Sequence, residues 1–208
     1  MSASDRFPGA LLALWALALF VSGFAPYDRL TWFLEVAPVL IAVPLLTATR
    51  RSFPLTPLLY GLIFVHGLIL FVGGHYTYAL VPLGIWLQDS FDLARNHYDR
   101  LGHFAQGFIP AILAREILLR KTALRPGKML FYLVVSICLA FSAFYELVEW
   151  WAAVLLEQDA NQFLGTQGDV WDSQWDMFMA MIGAIVAVAS LARVHDRQIG
   201  RLDRNGEI

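Results

Sequence analysis

Charge is what this chain has least of. Only 15% of its residues are Asp, Glu, Lys or Arg, where an average soluble domain carries about 25%. With 58% hydrophobic residues and a mean hydropathy of +0.58, so few charges cannot cover the surface of a water-soluble fold. Cysteine is scarcer still. Cys138 stands alone, which excludes an intramolecular disulfide and any multi-cysteine zinc site, and its setting, FYLVVSICLAF, reads as that of a small buried hydrophobe. Neither sign of charge is in excess. A net charge of −2 gives no basis for nucleic acid as a partner or for a strongly basic membrane-surface module. No internal repeat, low-complexity tract, phosphate-cradling loop or Ser/His/Asp order stands out, and FLGTQGD (163–169) reads as a tight turn.

What the chain has is apolar runs long enough to cross a bilayer, for which about 17–25 residues are needed. They predict an all-α, polytopic membrane bundle of about six spans, at about 9–25, 31–49, 54–74, 98–119, 129–153 and 173–193. The whole chain is one integral membrane domain, with 194–208 as a short cytoplasmic tail. The run GALLALWALALFVSGFA lacks a strongly basic start and a good cleavage site, so it reads as the first span rather than a signal peptide. Pro38 and Pro44 fall inside the second span, where neighbouring helices repair the lost hydrogen bonds. TYALVPLGIWLQDSF (77–91) is interrupted by Pro82 and Gly84 and reads as interfacial or re-entrant. Lys and Arg favour the cytoplasmic side. With both termini placed there, twelve of the fifteen cations fall on that side, leaving Arg29, Arg95 and Arg100 outside. The predicted setting is a membrane, with the lipid bilayer itself as the first partner.

Under this topology the scarce polar groups gather in the outer half. HYDRLGHF (97–104) opens the fourth span, YELVEWW (145–151) closes the fifth, and GDVWDSQWDMF (168–178) opens the sixth. Asp99 and His103 are four apart, Glu146 and Glu149 three, Asp172 and Asp176 four, so each pair shares a helix face. Asp169 and His97 stand behind them, and Asp89 and Asp92 share a face in the outer loop. Glu35 lies just inside the outer end of the second span, His75 just beyond the third, and His66 in the third's outer half, where it reads as a packing residue. A carboxylate facing lipid costs several kcal/mol, so these groups must turn inward. Two chemistries suit them. One is a divalent metal ion held by His103, Glu146, Glu149 and Asp176, since O and N donors without thiolate fit Mg²⁺, Mn²⁺, Zn²⁺ or iron. The other is a metal-free acid–base site on Asp99, His103, Glu146, Glu149, Asp172 and Asp176, in which crowded carboxylates retain a proton and His103, oriented by Asp99, is the base. The plainer readings are an N-cap for Asp172, an interfacial belt for Trp150, Trp151, Trp171 and Trp175, and an interfacial anchor for Arg100. Elsewhere, Glu116 beside Arg115 reads as snorkelling, His195 as solvated in the tail, the inner half as dry, and Gly107 and Gly183 as permitting close helix packing.

HYDRLGHFAQGF, FYELVEWWAA and FLGTQGDVWDSQWDMFMAMIGA resemble the three signature segments of the YjdF-like bacterial inner-membrane proteins, a family of about this length and span number without an assigned reaction. The resemblance runs from about residue 28 onward and implies an inner-membrane location. A weaker likeness is to the VanZ-like membrane proteins. Asp99-Arg100-Leu101-Gly102-His103-Phe104 is similar to their Asp-Lys-x-x-His-Phe, Glu146-x-x-Glu149 stands where they have Glu-x-x-Gln, and Asp172 or Asp176 precedes Gly183, while the arginine before their last segment is absent. That likeness implies envelope or lipid chemistry. The expected function is an outward-facing acid/histidine site acting on a lipid or envelope-linked substrate. The alternatives are a proton- or cation-coupled transporter and an accessory subunit of a membrane complex.

Overall fold

A computed structural model describes residues 3–156 and 166–204, and it is helical throughout, with no strand among the described residues. The helices are α1 (Ala3–Ser22), α2 (Arg29–Thr49), α3 (Pro57–Tyr76), α4 (Pro82–Phe91), α5 (Tyr98–Lys121), α6 (Lys128–Leu156) and α7 (Asp172–Arg204), with a 3₁₀ turn at Tyr78–Leu80. The first residues of the FLGTQGD motif (163–165) and of the chain (1–2), and the last four residues (205–208), lie outside the description. Local chemistry sets the starts. Asp28 accepts the Thr31 amide at 2.7 Å ahead of α2, and Thr56 caps α3 ahead of Pro57 at its first position. Pro38, Pro44 and Pro110 sit within unbroken helices. The interrupted 77–91 stretch becomes the 3₁₀ turn and the ten-residue α4, which at 1.5 Å per residue is only about 15 Å long.

Four helices are long and apolar enough to cross a membrane: α2, α3, α6 and α7. The described apolar stretch of α1, Phe7–Ser22, is shorter. α5 carries Asp99, Arg100, Arg115, Glu116, Arg120 and Lys121, and this polarity dictates its place. It is the central strut, packed on α3 and α6 and most extensively on α7. Its contact with α7 is made of small residues. A Cβ on Gly107 would lie 1.8 Å from the Ala180 carbonyl oxygen, and one on Gly183 would lie 2.1 Å from that of Phe104, so the two backbones touch. Around this seam Leu59, Ala111, Ile112, Val134, Cys138 and Ala184 form one dry core. A second core of Trp15, Val36, Val39, Leu70 and Phe71 ties α1 and α2 to α3. There the Trp15 indole lies against Gly67 and donates to the Phe64 carbonyl at 2.9 Å.

The helices alternate in direction. At one end the Tyr27 amide bonds the His75 carbonyl at 2.8 Å, His75 Nδ1 meets the Ser22 carbonyl at 2.8 Å, and Asn96 meets Gln167. At the other end the structure corrects the sequence reading. Glu116 and His195, expected to snorkel and to be solvated, are both fully buried and joined, His195 Nε2 lying 2.9 Å from Glu116. The same carboxylate accepts from the Thr56 hydroxyl at 2.8 Å, the Thr56 amide at 3.1 Å and Arg120 at 2.7 Å. Arg115 pairs with Asp196 at 2.7 Å and contacts His195 Nδ1 at 3.0 Å. α7 continues as helix past the predicted span of 173–193 to Arg204, and so carries His195 alongside α5. An end expected to be dry thus holds a buried polar network in which both Glu116 oxygens are hydrogen-bonded.

The Gly107 seam yields a direct test. Gly107→Val should lower stability by about 3 kcal/mol or more, because backbone cannot yield as a side chain can. Gly61→Ala, where a Cβ meets nothing within 4 Å, should be neutral or stabilising by up to about 1 kcal/mol through helix propensity. Thermal unfolding of both variants in detergent micelles measures the contrast.

Candidate functional site

The site begins with one asparagine. Asn96, fully buried just before α5, donates its side-chain amide to the carbonyls of Ala79 and Val81, each at 3.1 Å. Its Oδ1 accepts the Tyr98 amide at 2.9 Å, and its backbone exchanges bonds of 3.0 and 2.9 Å with the Gln167 side chain. Gly84 makes room, since a Cβ there would lie 1.8 Å from Asn96 Oδ1. One residue therefore fastens the 3₁₀ turn, the start of α4, the start of α5 and the approach to α7. Tyr98, bonded through its hydroxyl to the Ile69 carbonyl at 3.1 Å, fixes the first turn of α5 against α3.

Arg95 just before α5 and Arg100 in its first turn meet Asp169 and the first turn of α7 as an ion cluster. Arg95 donates to Asp172, with Asp169 at 3.6 Å and Asp99 at 3.9 Å. Arg100 reaches Asp169 at 3.0 Å and Asp172 at 3.1 Å, and its Nε lies 3.2 Å from Asp176 Oδ1. Arg100 is therefore no interfacial anchor. Its guanidinium is drawn inward by three aspartates and lies 5.4 Å from the centre of the Trp175 ring. Asp169 stays ionised, its carboxyl held below the usual range by the Trp171 amide and by Arg100. Asp172, at the first position of α7, spends its carboxylate on the two arginines. Trp150, Trp151, Trp171 and Trp175 are exposed around this end.

One helical turn deeper, His103 is buried between acids. Its Nε2 lies 3.5 Å from Asp99 Oδ1 and its Nδ1 3.7 Å from Glu146 Oε1, while Nδ1 is 2.9 Å from Gln106 Oε1. Donor atoms of Asp99, His103 and Asp176 lie within 4.8 Å of one another, and all three residues are buried. These three residues form the compact donor group. Glu146 borders it, and Glu149 faces an adjoining chamber of about 60 Å³, room for about two waters at roughly 30 Å³ each. The chamber walls include Glu35, His66, Tyr78, Asp99, His103 and Glu149. Burial, then the neighbouring Glu35, push the Tyr78 phenol well up, so it keeps its hydrogen and turns it toward Glu35. Glu146 Oε1 and Asp176 Oδ1 are buried without a hydrogen bond.

The structure thus brings together Asp99, His103, Glu146, Glu149, Asp172 and Asp176. It leaves His97 exposed at the N-cap of α5, Asp89 exposed in α4 and Asp92 exposed at that helix's C-cap. It adds Glu35, His66, Tyr78, Gln106 and Tyr145. Glu35 and His66 are each a lone polar residue in an apolar run, and that signal was visible. The missing information was which face of α2 and α3 meets α5. If Asn96 is the fastener described, Asn96→Ala leaves two buried carbonyls and an amide unpaired, at about 1–3 kcal/mol for each such group. The variant should melt well below the wild type, while Asp89→Asn should melt with it.

The chain matches the family described as Predicted membrane protein (DUF2238) over residues 7–197. Inner membrane protein YjdF of Escherichia coli (strain K12) is 56% identical over 185 residues, covering 89% of this chain and 88% of that protein. No solved structure matches it. The family match extends through α1 as well as the three signature segments, and on these grounds the chain belongs to the DUF2238 family and is an inner-membrane protein.

Proposed function

We propose that the protein crosses the inner membrane six times with both termini in the cytoplasm, and that its Asp99–His103 chamber faces the outer leaflet and performs acid–base chemistry on a lipid or envelope-linked substrate. The 24 residues of α5 span about 36 Å at 1.5 Å per residue, and its neighbours shield its charges from lipid, as an interior strut requires. The cation bias supports a cytoplasmic side for the Glu116 end.

The observation that carries the chemistry is the chamber itself: acids and histidines from α2, α3, α5 and α6 share one small cavity, beside two carboxylate oxygens that have no hydrogen bond. In this reading Asp99 positions His103 as the base, and Glu146 or Glu149 holds a proton as the acid. The substrate class follows from the walls. Pro38 of α2 and Phe141 of α6 both line the chamber, Phe141 is half exposed, and α2 packs on α3 rather than on α6. We assign this gap as the route by which a headgroup reaches the acids from the bilayer.

Transport is the rival, and the buried Glu116 network at the other end gives it a foothold. Against it, Leu59, Ile112, Val134 and Ala184 fill the space between the two polar clusters, each completely buried. A polar path would have to cross that plug.

Two experiments test the proposal. Reporter fusions after Ala123 and after Gly168 should report opposite sides, cytoplasmic for the first; the same side for both would break the six-span topology. Envelope lipids from an Escherichia coli host lacking its own YjdF, compared by mass spectrometry with and without this chain, should differ in at least one lipid class. Glu149→Gln should abolish that difference. Identical profiles for wild type, variant and empty vector would rule out the lipid chemistry.

A further inference from the structure

We propose that Asp99, His103 and Asp176 hold a divalent metal ion of the first transition row, such as Zn²⁺ or Mn²⁺, with one coordination position open to the chamber. The inference rests on reading this chamber as the working site, but its test reads metal rather than turnover.

The tautomer of His103 is the first step. Its Nδ1 lies 2.9 Å from Gln106 Oε1, and an amide oxygen can only accept, so Nδ1 carries the hydrogen. In a neutral ring Nε2 is then a bare lone pair, and it faces Asp99 Oδ1 at 3.5 Å. Two acceptors pointing at each other need something positive between them. The separation is long for an N–H···O bond, whose usual range ends near 3.2 Å. It suits two ligands of one ion, since donors about 2.0–2.1 Å from a tetrahedral metal lie roughly 3.4 Å apart. A ring nitrogen fixed by an outer carbonyl, leaving the other for the ion, is the usual second layer of a histidine–metal site.

Asp176 is the second step. Its side chain is only 3% exposed, yet Oδ1 accepts no hydrogen bond. Arg100 Nε is 3.2 Å from that oxygen without the alignment of a hydrogen bond, so the carboxylate is held in place with a lone pair to spare. Its donor atom joins those of Asp99 and His103 within 4.8 Å, a set that closes on an ion by a shift of about 1 Å or so if ligands lie at 2.0–2.2 Å. Two carboxylates neutralise a divalent ion and suit Mn²⁺, and the imidazole favours Zn²⁺ over Mg²⁺ or Ca²⁺. Asp99 and His103 also line the chamber, so a fourth ligand would be water. Three protein ligands plus water is the pattern of catalytic rather than structural zinc. With Nε2 on the ion, His103 is a ligand and the base's part passes to Glu146, whose Oε1 lies beside the ring with no hydrogen bond of its own; Glu149 remains the acid.

The test uses the full chain purified in detergent and stripped with chelator. Zn²⁺ is titrated and counted by elemental analysis after gel filtration, and Mn²⁺ binding is followed by loss of the free-ion electron paramagnetic resonance signal. The wild type should take up about one ion per chain. His103→Ala and Asp176→Asn should lose it. Gln106→Ala, which removes no ligand, should weaken binding by about 10–100-fold in the protein that remains folded by gel filtration. Asp89→Asn should bind as the wild type does. Absence of a stoichiometric ion in the wild type overturns the proposal, as does uptake that His103→Ala, Asp176→Asn and Gln106→Ala all leave unchanged. The two readings fail separately. Metal bound with no lipid dependence leaves this site and removes the lipid chemistry; a lipid change that needs Glu149 without any metal does the reverse.

Discussion

The architecture follows from one constraint: a carboxylate or guanidinium inside a bilayer must face protein or a water-filled space. α5 carries charges in its first turns and again in its last, so it cannot lie against lipid at either end. It must be surrounded, and surrounding one helix requires neighbours that approach closely. Gly107 on α5 and Gly183 on α7 supply that approach, each leaving the space that the other helix's backbone fills. Lipid offers no hydrophobic drive for helices to associate, so close backbone contact and polar pairing have to hold them. The seam and the two polar clusters are thus parts of one solution. The small residues let α7 come near enough for Asp172, Asp176 and His195 to reach partners on or just before α5.

Much of this was legible from the residues. Four of the predicted spans coincide with helices long and apolar enough to cross a membrane, α2, α3, α6 and α7, because length and polarity mark a transmembrane helix almost by themselves. The pairing of Asp99 with His103 follows from a spacing of four and is met at 3.5 Å. The close-packing role of Gly107 and Gly183 also holds. What escaped was tertiary. Arg100 looked like an anchor because an arginine at a helix end commonly is one; nothing local says that three aspartates from across the bundle will claim it. His195 looked solvated because its sequence neighbours are charged. α7 continues past the apolar run as one rigid helix, and a residue one turn further on can be buried while those beside it are not. Glu35 and His66 were visible as lone polar residues, but only the packing of α2 and α3 around α5 turns them toward the same cavity as Glu149.

The two polar clusters resemble each other in composition and differ in completeness, and the difference separates scaffold from site. Around Glu116, a buried carboxylate meets Thr56, His195 and Arg120, and both its oxygens are occupied. Breaking such a cluster is expensive because each remaining charge is stranded, which makes it a clamp between the α2–α3 loop, α5 and α7. The other cluster assembles Glu35, Asp99, Glu146, Glu149, Asp169, Asp172 and Asp176 against Arg95, Arg100 and His103. Both arginines already engage Asp169 and Asp172 and reach the deeper acids only at their edge, Arg95 at 3.9 Å from Asp99 and Arg100 at 3.2 Å from Asp176. Within the deeper group the one basic side chain is His103, and Glu146 and Asp176 keep oxygens without a hydrogen bond.

Such a deficit has a definite physical meaning. Unpaired buried oxygens cost free energy in every molecule that folds this way, and the neighbouring Glu116 cluster demonstrates that this chain can complete a carboxylate's hydrogen bonds when only stability is at stake. In the deeper acids the missing positive charge has to come from protons, from a metal ion or from a ligand. Each of these can leave and return, whereas an arginine cannot. An anionic headgroup approaching seven carboxylates would be repelled unless protons or an ion stood between them, so acid–base chemistry and a bound cation answer the same electrostatic requirement. The proposed cation fits the tautomer. With Gln106 holding the hydrogen of Nδ1, His103 is preset to offer Nε2 to whatever sits beside Asp99, and a ring fixed in that way costs no reorientation when an ion or a proton arrives.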